Sequence, residues 1–138
     1  FIFSTHLIRI TEYLHAQDLE LTLRELSAKA DNWSSGTKIG NCLQNFNEIY
    51  AKQVLNGQSM VVLLSDGLDT GAPDLLATEL QKIKRRTNQL IWLNPLKGMQ
   101  GYQPIQRGMT VALPQIDVFQ SAHNLESILE LEKLLLNV

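Results

Sequence analysis

The chain has 138 residues, 44% of them apolar, and a formal net charge of −2, a composition that makes one domain able to bury roughly two-thirds of its unfolded surface. That balance offers neither a basic field for nucleic acid nor a polybasic membrane patch, and no apolar run approaches the ~18 residues of a membrane span. The single Cys42 excludes an internal disulfide; inside an apolar helical pattern it reads as a small core residue rather than a nucleophile, compatible with a reducing, cytoplasmic setting.

The chain opens on Phe1-Ile2-Phe3 with no Met and no basic lead, so residues 1–138 are expected to be one domain cut from a longer protein. Phe1 to Ser4 and Leu7 to Ile10 have strand composition and form an expected hairpin or continued strand. Asp18 is placed to cap a helix whose Leu19, Leu23, Leu26 and Ala30 share one face, ending near Asp31-Asn32. The loop containing Trp33, expected to pack as core, leads through Ser35-Gly36-Thr37 to a second helix with an Ile39, Leu43, Phe46, Tyr50 stripe.

Asn56-Gly57 signals a turn before an expected buried strand, Met60 to Leu64, and Pro73 suits the first turn of a helix whose inner face is Leu76, Leu80 and Ile83. Lys82, Lys84, Arg85 and Arg86 near that helix's end complement its dipole. Leu90 to Leu93, with Trp92 in the core, forms the next strand, stopped at Asn94-Pro95. Pro104 is expected to open a short helix with Ile105, Met109 and Ala112 on one face, ended by Pro114. Arg107 on it reads as a solvated residue, Ile116 to Phe119 as a last strand, and Asn124 as the cap of an apolar final helix packing closely on the sheet. Strands alternating with helices imply a doubly wound, mostly parallel α/β sheet.

The familiar nucleotide loops are absent: there is no GxxxxGK followed by Ser or Thr, and no strand runs into GxGxxG. His6, His15 and His123 lack paired metal-ligand spacing, and no GxSxG elbow supports serine catalysis. What remains is a hard-cation site of carboxylate and hydroxyl oxygens, for which Thr37 and Asp66 have the right chemistry. On physics alone, Asp66-Gly67 reads equally well as a turn and Thr37 as a helix N-cap.

Thr37 in SGTKIG and Asp66 in LLSDG look like the second and third elements of the von Willebrand factor type A (vWA) domain. The ordered set FIFSTHLIRIT, DNWSSGTKIG, VVLLSDGLDTG, IWLNPL, GYQPIQRGM and ALPQIDVF resembles the CoxE-like branch of that family over nearly the whole chain. The resemblance implies a Rossmann-like sheet with helices on both faces. It also implies a metal-ion-dependent adhesion site (MIDAS) in which Thr37 ligates Mg²⁺ directly and Asp66 acts mostly through water, with Ser65, Gly67 and Gly36 as loop support.

The same resemblance implies a protein-interaction module rather than an enzyme. Its metal would take an acidic side chain from a partner, and its role would be to act with a MoxR-type AAA+ ATPase in maturing a metalloenzyme such as a molybdenum-containing carbon monoxide dehydrogenase. The family's first element, Asp-x-Ser-x-Ser, has no counterpart: Ile2, not Asp, stands two residues before Ser4. The first, central strand is therefore expected to be missing, leaving a gap with unpaired edges and a doubtful Mg²⁺ site. Two alternatives stay open, a metal-assisted hydrolase using Asp66 with Asp69 and a truncated, non-binding remnant.

Overall fold

The computed structural model describes residues 1–13, 24, 28, 36–124, 126–127 and 129–130. The expected helix after Asp18 and the packing of Trp33 lie outside the described residues, as does most of the final helix. A short antiparallel hairpin pairs β1 (Ile2–Phe3) with β2 (Leu7–Ile8), Ile2 opposite Ile8 and Phe3 opposite Leu7. Its bend is tied to the first turn of α1 (Ile39–Ile49), because the Lys38 N–H donates to the Ser4 carbonyl (2.8 Å). A short α2 (Ala51–Val54) follows, and then the second sheet begins.

That sheet has three parallel strands, β3 (Met60–Leu64), β4 (Gln89–Asn94) and β5 (Val118–Ser121), in the order β3-β4-β5. The connections are α3 (Pro73–Lys84) between β3 and β4, and α4 (Arg107–Ala112) with a 3₁₀ turn (Leu113–Gln115) between β4 and β5. Parallel pairing puts the carboxyl ends of all three strands on one side, where Leu64, Asn94 and Ser121 each lead into a loop. This is the α/β architecture the alternating pattern predicts, a parallel sheet flanked by helices.

Helical spacing built the core as read: Ile39, Leu43 and Phe46 of α1 meet Leu76, Leu80 and Ile83 of α3 over Leu63, Leu90 and Trp92. Each such side chain stabilises the fold by about 1.5–3 kcal/mol on full burial. Gly40 lets α1 and α3 approach, since a Cβ there would lie 2.9 Å from the Leu76 nitrogen. A polar clip lies in the same interface: Asn47 Nδ2 donates to Glu79 Oε2 (2.8 Å), and Glu79 Oε1 pairs with Lys82 (2.7 Å). Cys42 is buried as expected, and burial pushes its thiol pKa up, away from nucleophile behaviour.

Four expectations shift. β3 is not buried throughout: Leu63 is buried but Val62 and Leu64 are 42% and 59% exposed, because β3 ends its sheet among the described residues. β4, paired on both sides, is buried from Leu90 to Asn94. Pro104 does not open α4, which starts at Arg107, and Ile105 is 77% exposed. Pro114 sits inside the 3₁₀ turn at a position where its missing N–H is not needed. β5 starts two residues later than read, at Val118, because Asp117 is used as a side-chain acceptor for the Leu90 N–H (2.9 Å). In the last segment Asn124 caps as predicted, its Oδ1 accepting the Ser127 N–H (2.8 Å), yet Leu129 is 52% exposed rather than packed.

Candidate functional site

The carboxyl end of β3 opens into the loop that carries Ser65, Asp66 and Gly67. Three features of the sequence shape this loop. Gly67 adopts φ +80°, a conformation costly for other residues. A Cβ there would also lie 2.3 Å from Met109 Sδ, so α4 sits directly against the turn. Asp66 closes an Asx turn, its Oδ1 accepting the Leu68 N–H (2.9 Å), and Ser65 Oγ accepts the Gly67 N–H (3.1 Å).

β4 then holds the loop's backbone with side chains that sequence reading assigned only to the core or to strand termination. Trp92 is fully buried, and its Nε1–H donates to the Ser65 carbonyl (2.9 Å). Asn94, also fully buried, spends one Nδ2 proton on the Asp66 carbonyl (3.0 Å) and the other on the Tyr102 hydroxyl oxygen (2.9 Å). Its Oδ1 accepts the Leu96 N–H (2.7 Å), so both amide protons and the amide oxygen are engaged. Burial and the nearby charge of Asp66 raise the Tyr102 pKa against the opposing effect of the Asn94 bond. The signal for Asn94 was its place at the strand's carboxyl end before proline; nothing in the sequence pointed Tyr102 or Trp92 at this loop.

The Thr37 loop reaches the same place from the other side. Gly36 has φ +84°, and a Cβ on it would lie 2.9 Å from Thr70 Cγ2. Thr37 pairs with Asp69 in an isolated parallel bridge, and its carbonyl accepts from both the Thr70 N–H (2.8 Å) and the Thr70 hydroxyl (3.0 Å). Lys38, not Thr37, occupies the N-cap position of α1 and makes no side-chain cap. Asp69 fills that role from a distance, its Oδ1 accepting the Ile39 N–H (2.8 Å) and the Gly71 N–H (3.1 Å). Ser35 lies outside the described residues.

The two loops therefore meet, and Thr37, Ser65 and Asp66 all line one groove of about 540 Å³. Its walls are apolar, with Phe1, Ile2 and Phe3 of the hairpin segment on one side and Val61 to Leu64 of β3 on the other. The groove lies between the hairpin and β3. Thr37 Oγ1 and the second carboxylate oxygen of Asp66 have no hydrogen-bond partner among the described residues. Asp69 does not line the groove, and its Oδ2 is buried without a partner. Arg107 is exposed at the start of α4 and has no part in this geometry.

No cluster of three or more His, Cys, Asp or Glu side chains occurs among the described residues, and no helix there is long and apolar enough to cross a membrane. Neither a curated protein nor a solved structure matches the chain at a significant level. One family model does, that of the VWA domain containing CoxE-like protein, over residues 1–128. That span takes in the hairpin, both loops, the parallel sheet and the Asn124 cap. With the Thr37 and Asp66 loops meeting at the carboxyl end of a parallel strand, it places this chain in the CoxE-like family of vWA domains, whose members serve as protein-interaction modules.

Proposed function

We propose that this domain works by gripping an acidic side chain of a protein partner through a Mg²⁺ ion held at the Thr37–Asp66 end of the groove. The observation that carries this reading is that Thr37 and Asp66 line the same groove while Thr37 Oγ1 and one Asp66 carboxylate oxygen have no hydrogen-bond partner among the described residues. The donor chemistry fits a hard cation: hydroxyl and carboxylate oxygens, in a groove lined by neither thiol nor imidazole. The charges fit as well, since no ion pair neutralises Asp66 or Asp69 among the described residues and Asp69 Oδ2 is buried unpaired.

In this reading Thr37 binds the cation directly and Asp66 orients bound water, while Ser65, Gly67 and Gly36 shape the loops. A bound Mg²⁺ supplies an open position for a carboxylate. Trp92 and Asn94 keep the loop rigid by fixing the Ser65 and Asp66 carbonyls, as supporting groups around a metal do. The partner we infer is a MoxR-type AAA+ ATPase, with ATP chemistry belonging to that partner and metalloenzyme maturation, as for carbon monoxide dehydrogenase, as the task. The hydrolase alternative gains nothing from the geometry, because Asp69 sits outside the groove and is engaged with α1.

Calorimetric Mg²⁺ titration tests the reading, on the chain alone and on the chain extended at its N-terminus by an apolar strand ending in Asp-x-Ser-x-Ser. We expect weak or no binding by the chain alone and saturable binding after extension. Thr37→Ala and Asp66→Asn should each weaken that binding by about tenfold or more, the order of effect for a lost ligand or its water-orienting neighbour. Absence of Mg²⁺ binding in the extended protein would overturn the metal reading; tight binding by the chain alone would overturn the view that its ligand set is incomplete.

A further inference from the structure

The geometry points to Asp69 as the positioning residue of this site, the group that fixes where Thr37 stands relative to Asp66. Any consequence for ligand binding rests on the proposed metal-dependent function, but the geometric claim does not. Asp66 and Asp69 belong to one short loop, closed by the Asp69 N–H donating to the Gly67 carbonyl (2.9 Å). Thr37 belongs to another segment 29 residues earlier in sequence, and neither a disulfide nor a regular strand pair joins the two.

What joins them is centred on Asp69. Its backbone forms the isolated bridge with Thr37, and its carboxylate takes the Ile39 N–H two residues beyond Thr37. The same oxygen takes the Gly71 N–H, which turns the chain so that Thr70 presents both its amide and its hydroxyl to the Thr37 carbonyl. Thr37 is thus held on both sides, by its own carbonyl and by the first amide of α1. Neighbours press on the arrangement from outside. A Cβ on Gly36 would meet Thr70, and one on Gly108 would lie 2.8 Å from the Gly67 carbonyl and 3.0 Å from Asp69 Cβ. Asp69 itself is absent from the groove lining, so it acts through Thr37 rather than on a ligand.

Backbone amide exchange on the whole chain, with Mg²⁺ titration of the same samples and of their N-terminally extended forms, tests the assignment. Asp69→Ala should speed exchange at Ile39, Thr70 and Gly71 by about tenfold or more, as expected when the local tie is cut. Asp69→Asn, which keeps an acceptor oxygen, should retain protection at those three amides. Thr70→Val, which keeps side-chain volume, should loosen Thr70 and Gly71 even if Asp69→Ala does not fold. Asn124→Ala serves as the control for a purely structural cap and should leave the three amides and any Mg²⁺ affinity unchanged. Unaltered protection in both Asp69→Ala and Thr70→Val would overturn the proposal. In an extended protein that binds Mg²⁺, affinity falling in Asp69→Ala and recovering in Asp69→Asn supports positioning, whereas equal affinities overturn it. If no form binds Mg²⁺ but Asp69→Ala frees the three amides, the positioning role stands and the metal reading fails.

Discussion

Gly67 shows how far a single residue constrains this loop. With φ at +80° and Met109 Sδ 2.3 Å from where a Cβ would sit, an alanine meets both backbone strain and a steric clash against a fully buried neighbour. Gly67→Ala should destabilise the protein by about 1–3 kcal/mol in denaturant unfolding, the range for strain at a special backbone position. Gly57→Ala is the matched control: a Cβ there meets nothing within 4 Å, so its effect should stay within about 0.5 kcal/mol. The sequence announced Gly67 because Asp-Gly after an apolar strand is a local signal. Trp92, Asn94 and Tyr102 were unreadable as site residues for the opposite reason, and Asp69, read only as a metal-site carboxylate of the hydrolase alternative, was unreadable as a tie between the loops. Their partners lie between 8 and 30 residues away, and only the folded chain brings them together.

Among the elements, the joint between α3 and the sheet carries the clearest electrostatics. Asp117 precedes β5 and joins three elements at once. Its Oδ1 pairs with Lys84 at the end of α3 (2.8 Å), its Oδ2 accepts the Leu90 N–H of β4 (2.9 Å), and its own N–H donates to the Leu90 carbonyl (2.9 Å). Partial burial works against the charged carboxylate, but the Lys84 ammonium and the Leu90 amide outweigh it and hold the pKa below the ordinary carboxylate value. A depressed folded-state pKa means stability that is present above the unfolded value of about 3.9 and is lost as pH falls through the lower folded value. Wild type should therefore be more stable than Asp117→Asn at pH 7 in urea titrations, and the gap should close below about pH 4. A constant gap across that window would assign the effect to packing. Element boundaries near this joint were the least legible part of the chain. Ile116 and Asp117 look like strand by composition, but the pairing of Asp117 with Leu90 moves the start of β5 to Val118. α3 and α1, by contrast, were readable because their apolar spacing and core burial coincide.

At the scale of the whole molecule, the two sheets divide the chain into a hairpin and a parallel unit, with the groove between them walled by apolar side chains. β3 borders that groove as a five-residue strand, Met-Val-Val-Leu-Leu, that pairs only with β4 among the described residues. Natural edge strands are usually guarded by a charge, a proline or a bulge, and β3 carries none of these. The same residues that direct Ser65 and Asp66 to the site therefore leave an apolar, strand-competent border beside it. A lysine at Val62, whose side chain is already 42% exposed, adds charge to that border without emptying the core. Val62→Lys should reduce concentration-dependent association in sedimentation velocity while changing stability by only about 0.5 kcal/mol. If association is unchanged, β3 is not the surface through which copies meet. Because Val62 and Leu64 wall the groove that Asp66 closes, an extended segment occupying the groove would cover the apolar border and reach the polar end together.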